Sequence, residues 1–272
     1  MYPSRKMISL RLRFWITNKK ADKWLKNKKI FFILATGRSG TKFLSLLLNK
    51  SPGAYIVHEP VRWDFRAYKA AFYDDKKAYK YIQEFRKKEI YDRVRKREIN
   101  IYGEVNSVLR RHCNALKKSF PNAKIFHLIR DGRDVVRSSM SRGTMTDNHP
   151  STKKIHPTQK SPWKDKWNNM TQFEKICWYW DVENRYLNKN IKKTLQFEKL
   201  ISSYKYFKEH LLDPLELKIS KETWQKEVNS PKNITNKYTT PHWTEWEKEK
   251  MDVFNEICGD TMRVNGYEKN SF

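Results

Sequence analysis

Six apolar residues in unbroken succession, Ile30-Phe31-Phe32-Ile33-Leu34-Ala35, lie between Lys28-Lys29 and Gly37. A run of this length without alternation predicts a strand buried on both faces, as in a parallel sheet. Immediately after it, residues 41–49 place Phe43, Leu44, Leu47 and Leu48 on one helical face, which predicts an amphipathic helix. Pro52 and Gly53 end that helix, and 54–58 (AYIVH) reads as a second strand. Arg62 to Arg97 is helical in character, with Tyr and Phe set among Lys and Arg. Residues 99–105 (INIYGEV) form a third predicted strand, followed by a helix over 107–119 that Pro121 breaks. Residues 124–129 (KIFHLI) are a fourth strand feeding a helix from about Asp131. Gly143, Pro150, Pro157 and Pro162 mark 143–171 as a long loop. A helix over 172–189, a strand over 194–197, a helix over 198–211 and a last helix over 244–258 complete the pattern. Strands and helices alternating at these intervals predict an α/β fold, a single domain with a central parallel β-sheet, flanked by helices and joined by right-handed crossovers. Residues 29–272 are expected to form this domain, with 1–28 a basic N-terminal extension. In such sheets ligands lie beyond the carboxyl ends of the strands.

Charge narrows the partner. The 272 residues include 57 Lys and Arg against 30 Asp and Glu, a formal net charge of +27. An anionic partner is implied: nucleic acid, an acidic lipid surface, a polyanionic glycan or a multiply charged nucleotide. The three cysteines, Cys113, Cys177 and Cys258, are too few and too scattered for a disulfide framework or a zinc site. Buried free thiols in a reducing, cytoplasmic setting are expected. No stretch reaches the roughly 18 apolar residues that a membrane-spanning helix needs. Arg11 and Arg13 interrupt the apolar N-terminal residues, which makes a poor signal-peptide core. A solvated arm and a basic amphipathic surface helix both remain open there.

Two stretches carry chemistry. The first is Thr36-Gly37-Arg38-Ser39-Gly40-Thr41-Lys42, between the first strand and its helix. Two glycines let the chain turn tightly and bring N–H groups close to an anion, and the helix adds the positive end of its dipole. Arg38 and Lys42 add full charge, and Ser39 and Thr41 add hydroxyl donors. The phosphate loop of nucleoside triphosphatases, G-x-x-x-x-G-K-[ST], does not fit, because Gly37 is only three positions before Gly40 and Thr41 precedes Lys42. The dinucleotide fingerprint G-x-G-x-x-G also fails. The second stretch runs from Lys124 to Ser139, where a buried strand ends at Arg130 and a helix begins with Asp131 and Asp134 as acidic caps. Ser138 lies eight residues beyond Arg130, about two helical turns on, so both could reach one anion. An ordinary strand-end salt bridge is the structural alternative for Arg130.

Both stretches resemble motifs of the sulfotransferase family. FFILATGRSGTKFL is similar to its 5′-phosphosulfate loop, P-[KR]-S-G-T-[TK], with Gly37 where many members carry Pro. The segment from Arg130 to Ser138 is similar to the 3′-phosphate motif R-[DN]-x-x-D-x-x-x-S. The resemblance extends more weakly over about 29–267. It implies a P-loop NTPase-like sulfotransferase fold, with 3′-phosphoadenosine 5′-phosphosulfate (PAPS) as donor and adenosine 3′,5′-bisphosphate (PAP) as product. It places Arg38, Ser39, Gly40, Thr41 and Lys42 on the 5′ end of the donor, and Arg130 and Ser138 on the 3′-phosphate. Phe197, in Phe197-Glu198-Lys199-Leu200, falls where the family has a Tyr by the adenine. Lys237, with Tyr238, His242 and Trp243, falls in the loop that closes over the 3′-phosphate in relatives, although the family's Arg/Lys-Gly pattern is missing there.

Sulfuryl transfer needs charge relief on the leaving 5′-phosphate and a base for the acceptor hydroxyl. Arg38 and Lys42 suit the first task, and no acidic cluster suggests a metal. Glu59, at the end of the second strand and before Pro60, is the first candidate base, because family members acting on tyrosyl or carbohydrate hydroxyls carry Glu at a similar place. Glu104 stands second, at the place where cytosolic members carry His, and His58 third. Tyr68, Tyr73, Tyr79 and Tyr81 among Lys and Arg, and Trp163 and Trp167 in the long loop, are candidates for contact with a sugar or an anionic polymer, or else parts of a solvated face and loop anchors. The acceptor expected is a hydroxyl compound, with an anionic glycan compatible with the charge, and no specific nucleic acid. A kinase or nucleotide hydrolase, a non-catalytic nucleic-acid-binding protein and a donor-binding protein without turnover are the competing readings.

Overall fold

The computed structural model describes residues 19–146, 155–230 and 239–267. Five strands, β1 (Lys29–Ala35), β2 (Ala54–His58), β3 (Ile101–Asn106), β4 (Lys124–Ile129) and β5 (Thr194–Gln196), form one sheet in the order β2-β3-β1-β4-β5. Every pairing is parallel. The apolar run of β1 is central and buried on both faces: Phe31, Ile33 and Ala35 enter one hydrophobic cluster, Ile30, Phe32 and Leu34 another. Each Phe, Ile or Leu side chain taken from water in this way contributes about 1.5–3 kcal/mol.

Helices cover both faces. α1, helical over residues 19–26, precedes β1, and α2 (Thr41–Leu48) follows it. Between β2 and β3 run α3 (Asp64–Tyr73), α4 (Asp75–Tyr81), a π-turn at Ile82–Arg86 and α5 (Lys87–Val94). The single helical stretch expected over 62–97 is therefore divided, with Asp74 capping α4 through the amides of Lys76 and Lys77. α6 (Cys113–Ser119) connects β3 to β4 after a 3-10 turn at Arg110–His112, so this helix starts later than the pattern predicts. α7 (Gly132–Met140) leaves β4, and α8 (Gln172–Asn190) opens with a complete capping box between Thr171 and Glu174. After β5 come α9 (Phe197–Ser202), α10 (Tyr204–Phe207), a π-turn at Lys208–Leu212 and α11 (Asp213–Leu215). α12 (Lys221–Val228) was not foreshadowed, and α13 (Lys248–Val264) lies a few residues later than expected.

α1 corrects the boundary drawn at residue 28. Ala21 and Leu25 are buried in the same cluster as Phe32 and Leu34, so residues 19–28 belong to the packed domain. Residues 1–18 of the expected extension lie outside the described residues. The three cysteines are free and buried. No described helix is long and apolar enough to cross a membrane.

The strand order fixes where a ligand can sit. From β1 the chain crosses to β2 on one side, and from its neighbour β4 it crosses to β5 on the other. The two outgoing connections diverge and open a crevice at the carboxyl ends of β1 and β4, the switch point at which open α/β sheets bind ligands.

Candidate active site

The 36–42 turn occupies one side of this crevice. Arg38 and Gly40 both take left-handed backbone conformations, with φ of 68° and 80°. Turns through such residues form a concave run of amides suited to an anion. The hydroxyls of Thr36 and Ser39 brace the turn at 2.9 Å, and both residues are buried. α2 starts with no side-chain cap and no acidic residue in its first turn. Its first amides and its dipole are left for an anion to satisfy. Lys42 is exposed at the start of this helix.

The β4–α7 junction forms the other side. Asp131 caps α7 by accepting from the Arg133 amide at 2.9 Å. The two clusters are in direct contact: Arg130 Nη1 donates to the carbonyl of Arg38 at 3.3 Å, and Arg38 Nε donates to Ser138 Oγ at 2.8 Å. Arg130 does form a salt bridge to Asp134, at 3.0 Å, but its Nε is buried without a hydrogen-bond partner among the described residues. A buried guanidinium nitrogen left unpaired is costly, and an anion in the crevice would satisfy it. Phe197, the first residue of α9 directly after β5, completes the junction. The Arg130 guanidinium lies 5.5 Å from its ring centroid, and the ring stands perpendicular to Phe43 at 6.2 Å. Arg38, Arg130, Ser138 and Phe197, from three separate segments of the chain, thus meet at one end of the sheet.

The candidate bases separate sharply. Glu59 follows β2 with a φ of 43°, a left-handed conformation that a non-glycine residue holds only under constraint. Its side chain keeps 31% of its exposure. His58 Nε2 is 2.9 Å from Thr41 Oγ1 and 3.7 Å from Glu59 Oε1. Burial lowers the His58 pKa; Glu59 pulls it up and Lys42 pushes it further down. Glu104 is corrected. It is 0% exposed, and its carboxylate is filled by Arg86 Nη2 at 2.6 Å to each oxygen, by the Tyr102 hydroxyl at 2.6 Å and by Asn106 at 3.1 Å. A carboxylate so enclosed faces no acceptor, and its place is inside the domain as the counter-ion of Arg86.

The aromatic residues suggested for acceptor contact turn mostly inward. Tyr68 is buried with its hydroxyl on Tyr179 and Glu183, both at 2.9 Å, and Tyr81 donates to Asp64 at 2.8 Å. Tyr79 lies under the Lys118 ammonium, and Tyr73 is bonded to the backbone of His156. Trp163 and Trp167 pack on the cluster around α8, Trp167 edge-on to Trp178 at 4.9 Å, so they anchor the loop. Trp63, four residues after Glu59 in the chain, is 55% exposed with Arg66 stacked 4.4 Å from its ring. The sequence pattern did not single it out. Ser107 was missed too: its hydroxyl and amide both donate to Glu59 Oε1, the amide at 3.3 Å. Its place at the carboxyl end of β3 was the available signal.

Lys237 and Tyr238 lie outside the described residues. The neighbouring residues 239–246 are docked on α7. Arg137 Nε donates to the Thr240 carbonyl at 3.1 Å, the Thr239 amide donates to Ser141 Oγ at 3.0 Å, and Arg133 stacks 4.0 Å from the Trp243 ring.

A parallel α/β sheet with an uncapped, glycine-turned helix start facing a second arginine across its switch point defines a nucleotide-phosphate-binding fold. Residues 31–221 match the family model described as Sulfotransferase family. The chain belongs to that family, and as a member it is a sulfotransferase. Among solved structures, sulfotransferase STF9 from Mycobacterium avium aligns with 90% of this chain and 79% of its own at 10% identity, with a TM-score of 0.55. Mouse sulfotransferase SULT7A1 complexed with PAP aligns with 86% of this chain and 85% of its own at 14% identity, with a TM-score of 0.49. A comparison with curated proteins gives no match.

Proposed function

We propose that the protein takes the sulfuryl group of PAPS and transfers it to an acceptor hydroxyl, with the 36–42 turn holding the 5′ end of the donor and Arg130 with Ser138 holding its 3′-phosphate. The observation that carries this reading is the contact of the two clusters, with Arg38 Nε 2.8 Å from Ser138 Oγ and Arg130 Nη1 3.3 Å from the Arg38 carbonyl. When bound, PAPS supplies an activated sulfuryl group joined to a 5′-phosphate leaving group. The amides of the turn, the start of α2, Arg38 and Lys42 neutralise the charge that grows on the leaving phosphate. Thr36 and Ser39 brace the turn that presents those donors, and Ser39 and Thr41 add hydroxyls at the 5′ end. The unpaired Nε of Arg130 and the Ser138 hydroxyl suit the 3′-phosphate, and Phe197 suits the adenine as an apolar surface.

Glu59 is proposed as the base. A carboxylate is far too weak a base to deprotonate a resting alcohol. It accepts the proton late, as the oxygen bonds to sulfur and becomes acidic. The acceptor proposed is a carbohydrate or other alcohol. The exposed Trp63 and Arg66, which follow Glu59 closely in the chain, and the net charge of +27 support one that carries negative charge. The free, buried thiols support a cytoplasmic setting. No specific nucleic acid is proposed as partner.

The test is transfer itself. The protein is incubated with PAPS and a panel of sugars, glycans, phenols and alcohols, and sulfated products are sought by mass spectrometry. Sulfated product with wild type, lost in Glu59→Gln while PAP binding is retained, is the expected outcome. PAP binding without transfer to any acceptor would leave only a donor-binding protein.

A further inference from the structure

The hydrogen bonds to Glu59 all fall on one oxygen. Oε1 accepts from the Ser107 hydroxyl and, at 3.3 Å, from the Ser107 amide, and it is the atom 3.7 Å from His58 Nε2. Oε2 has no hydrogen-bond partner among the described residues. Two donors from one residue on one oxygen fix both the position and the rotation of a carboxylate, and leave the second oxygen with its lone pairs directed elsewhere.

Ser107 is itself rigidly held. It is buried and sits where β3 ends. Asn106 closes the turn with its side-chain oxygen, accepting from the amides of Val108 and Leu109 at 2.8 and 3.0 Å. The Asn106 amide nitrogen donates to Glu104 at 3.1 Å and to Asp64 at 3.3 Å. The Ser107 carbonyl accepts from Arg110, whose Nε is paired with the buried Glu183 at 2.6 Å. Polar contacts through a buried, charge-paired frame are rigid because every alternative leaves an ion unpaired. The left-handed backbone of Glu59 adds a second constraint from its own strand.

We infer that Ser107 is a positioning residue for the reaction: it locks Glu59 through Oε1 so that Oε2 is the oxygen presented to the acceptor proton. The inference rests on Glu59 being the base. Ser107 touches neither donor nor acceptor; it acts through the carboxylate, and it gives the Glu104 network a role as the frame behind that carboxylate.

The experiment is a double-mutant cycle on the full chain. Ser107→Ala, Ser107→Thr, Glu59→Gln and the pair Ser107→Ala/Glu59→Gln are assayed for PAPS turnover with the best acceptor of the panel, or with water if none is better. PAP affinity is measured in parallel. Ser107→Ala should lower kcat at least tenfold with KM for PAPS and PAP affinity unchanged, Ser107→Thr should restore most of the rate, and Ser107→Ala should cost nothing further on the Glu59→Gln background. Additive losses in the double variant, or full activity in Ser107→Ala while Glu59→Gln is dead, would overturn the positioning role and leave the base intact. Full activity in Glu59→Gln, or no turnover by wild type, would overturn the base reading on which it rests. Ser107→Asn, which keeps the backbone donor and a polar side chain, covers the case in which Ser107→Ala fails to fold. It should show the same fall in kcat with PAP binding retained, and unchanged kcat would contradict the inference.

Discussion

At Gly40 a φ of 80° coincides with a close approach: an added Cβ would fall 2.1 Å from a carbon of the Phe197 ring. Either condition alone restricts the position, and together they tie the turn to the residue proposed to cover the adenine. Gly40→Ala should destabilise the protein by about 1–3 kcal/mol and remove PAP binding, which urea unfolding and calorimetry would show; unchanged binding would mean that the turn is not the anion site. The glycine was legible as part of a turn, because the motif is contiguous in sequence. The fates of Glu59 and Glu104 were not. Both are carboxylates near strand ends, and sequence spacing treats them alike. What parts them is Arg86, which lies on the segment between β2 and β3 and reaches Glu104 only once that segment packs under the sheet. The left-handed backbone at Glu59 was equally hidden, since nothing in Glu59-Pro60 specifies it. Tyr68 and Tyr81 misled for a related reason: a tyrosine among lysines can face water or turn its ring inward, and here buried carboxylates draw their hydroxyls in.

The elements between β2 and β3 carry an unusual load for their polar composition. Asp64 on α3, Arg86 in the π-turn and Glu104 on β3 are all buried, and the Arg86 guanidinium pairs with both of these carboxylates and with Glu89. Burial raises the Asp64 pKa from 3.8 to about 7, against the pull of Arg86 and with the push of Glu104. The folded state therefore holds a proton on Asp64 at pH values where the unfolded chain has lost it. Stability from this group falls as pH rises from about 4 to about 7. Glu183 has the opposite sign. Burial pushes its pKa up, but Arg110 and Arg111 outweigh that and hold it low, so its contribution is lost in acid. Asp64→Asn should flatten the decline between pH 4 and 7, read as unfolding free energy against pH; a slope equal to wild type would place the proton elsewhere. Elements with an apolar signature were legible to within a few residues, as β1, β2 and β4 show. Those whose apolar face is sparse were not: α1 buries little beyond Ala21 and Leu25, and α12 buries only Trp224. Phe197, read as the end of a strand, instead begins α9, because β5 stops once its three residues have paired with β4.

At the scale of the molecule, a net charge of +27 and a crevice ringed by Arg38, Lys42 and Arg130 point to one kind of ligand. The architecture was legible because alternating strands and helices allow few topologies, and with it the end of the sheet where chemistry would occur. The sharing of one crevice by both motifs depends on β1 and β4 being neighbours, which follows from the strand order and from no local pattern. That sharing is the central claim, and PAP binding tests it most directly. In a thermal unfolding assay, PAP at a hundred times its Kd should stabilise wild type by about 2.7 kcal/mol, ATP should do far less, and Arg38→Ala and Arg130→Ala should each abolish most of the effect. A PAP response that survives both substitutions, or one that ATP matches in full, would contradict the account.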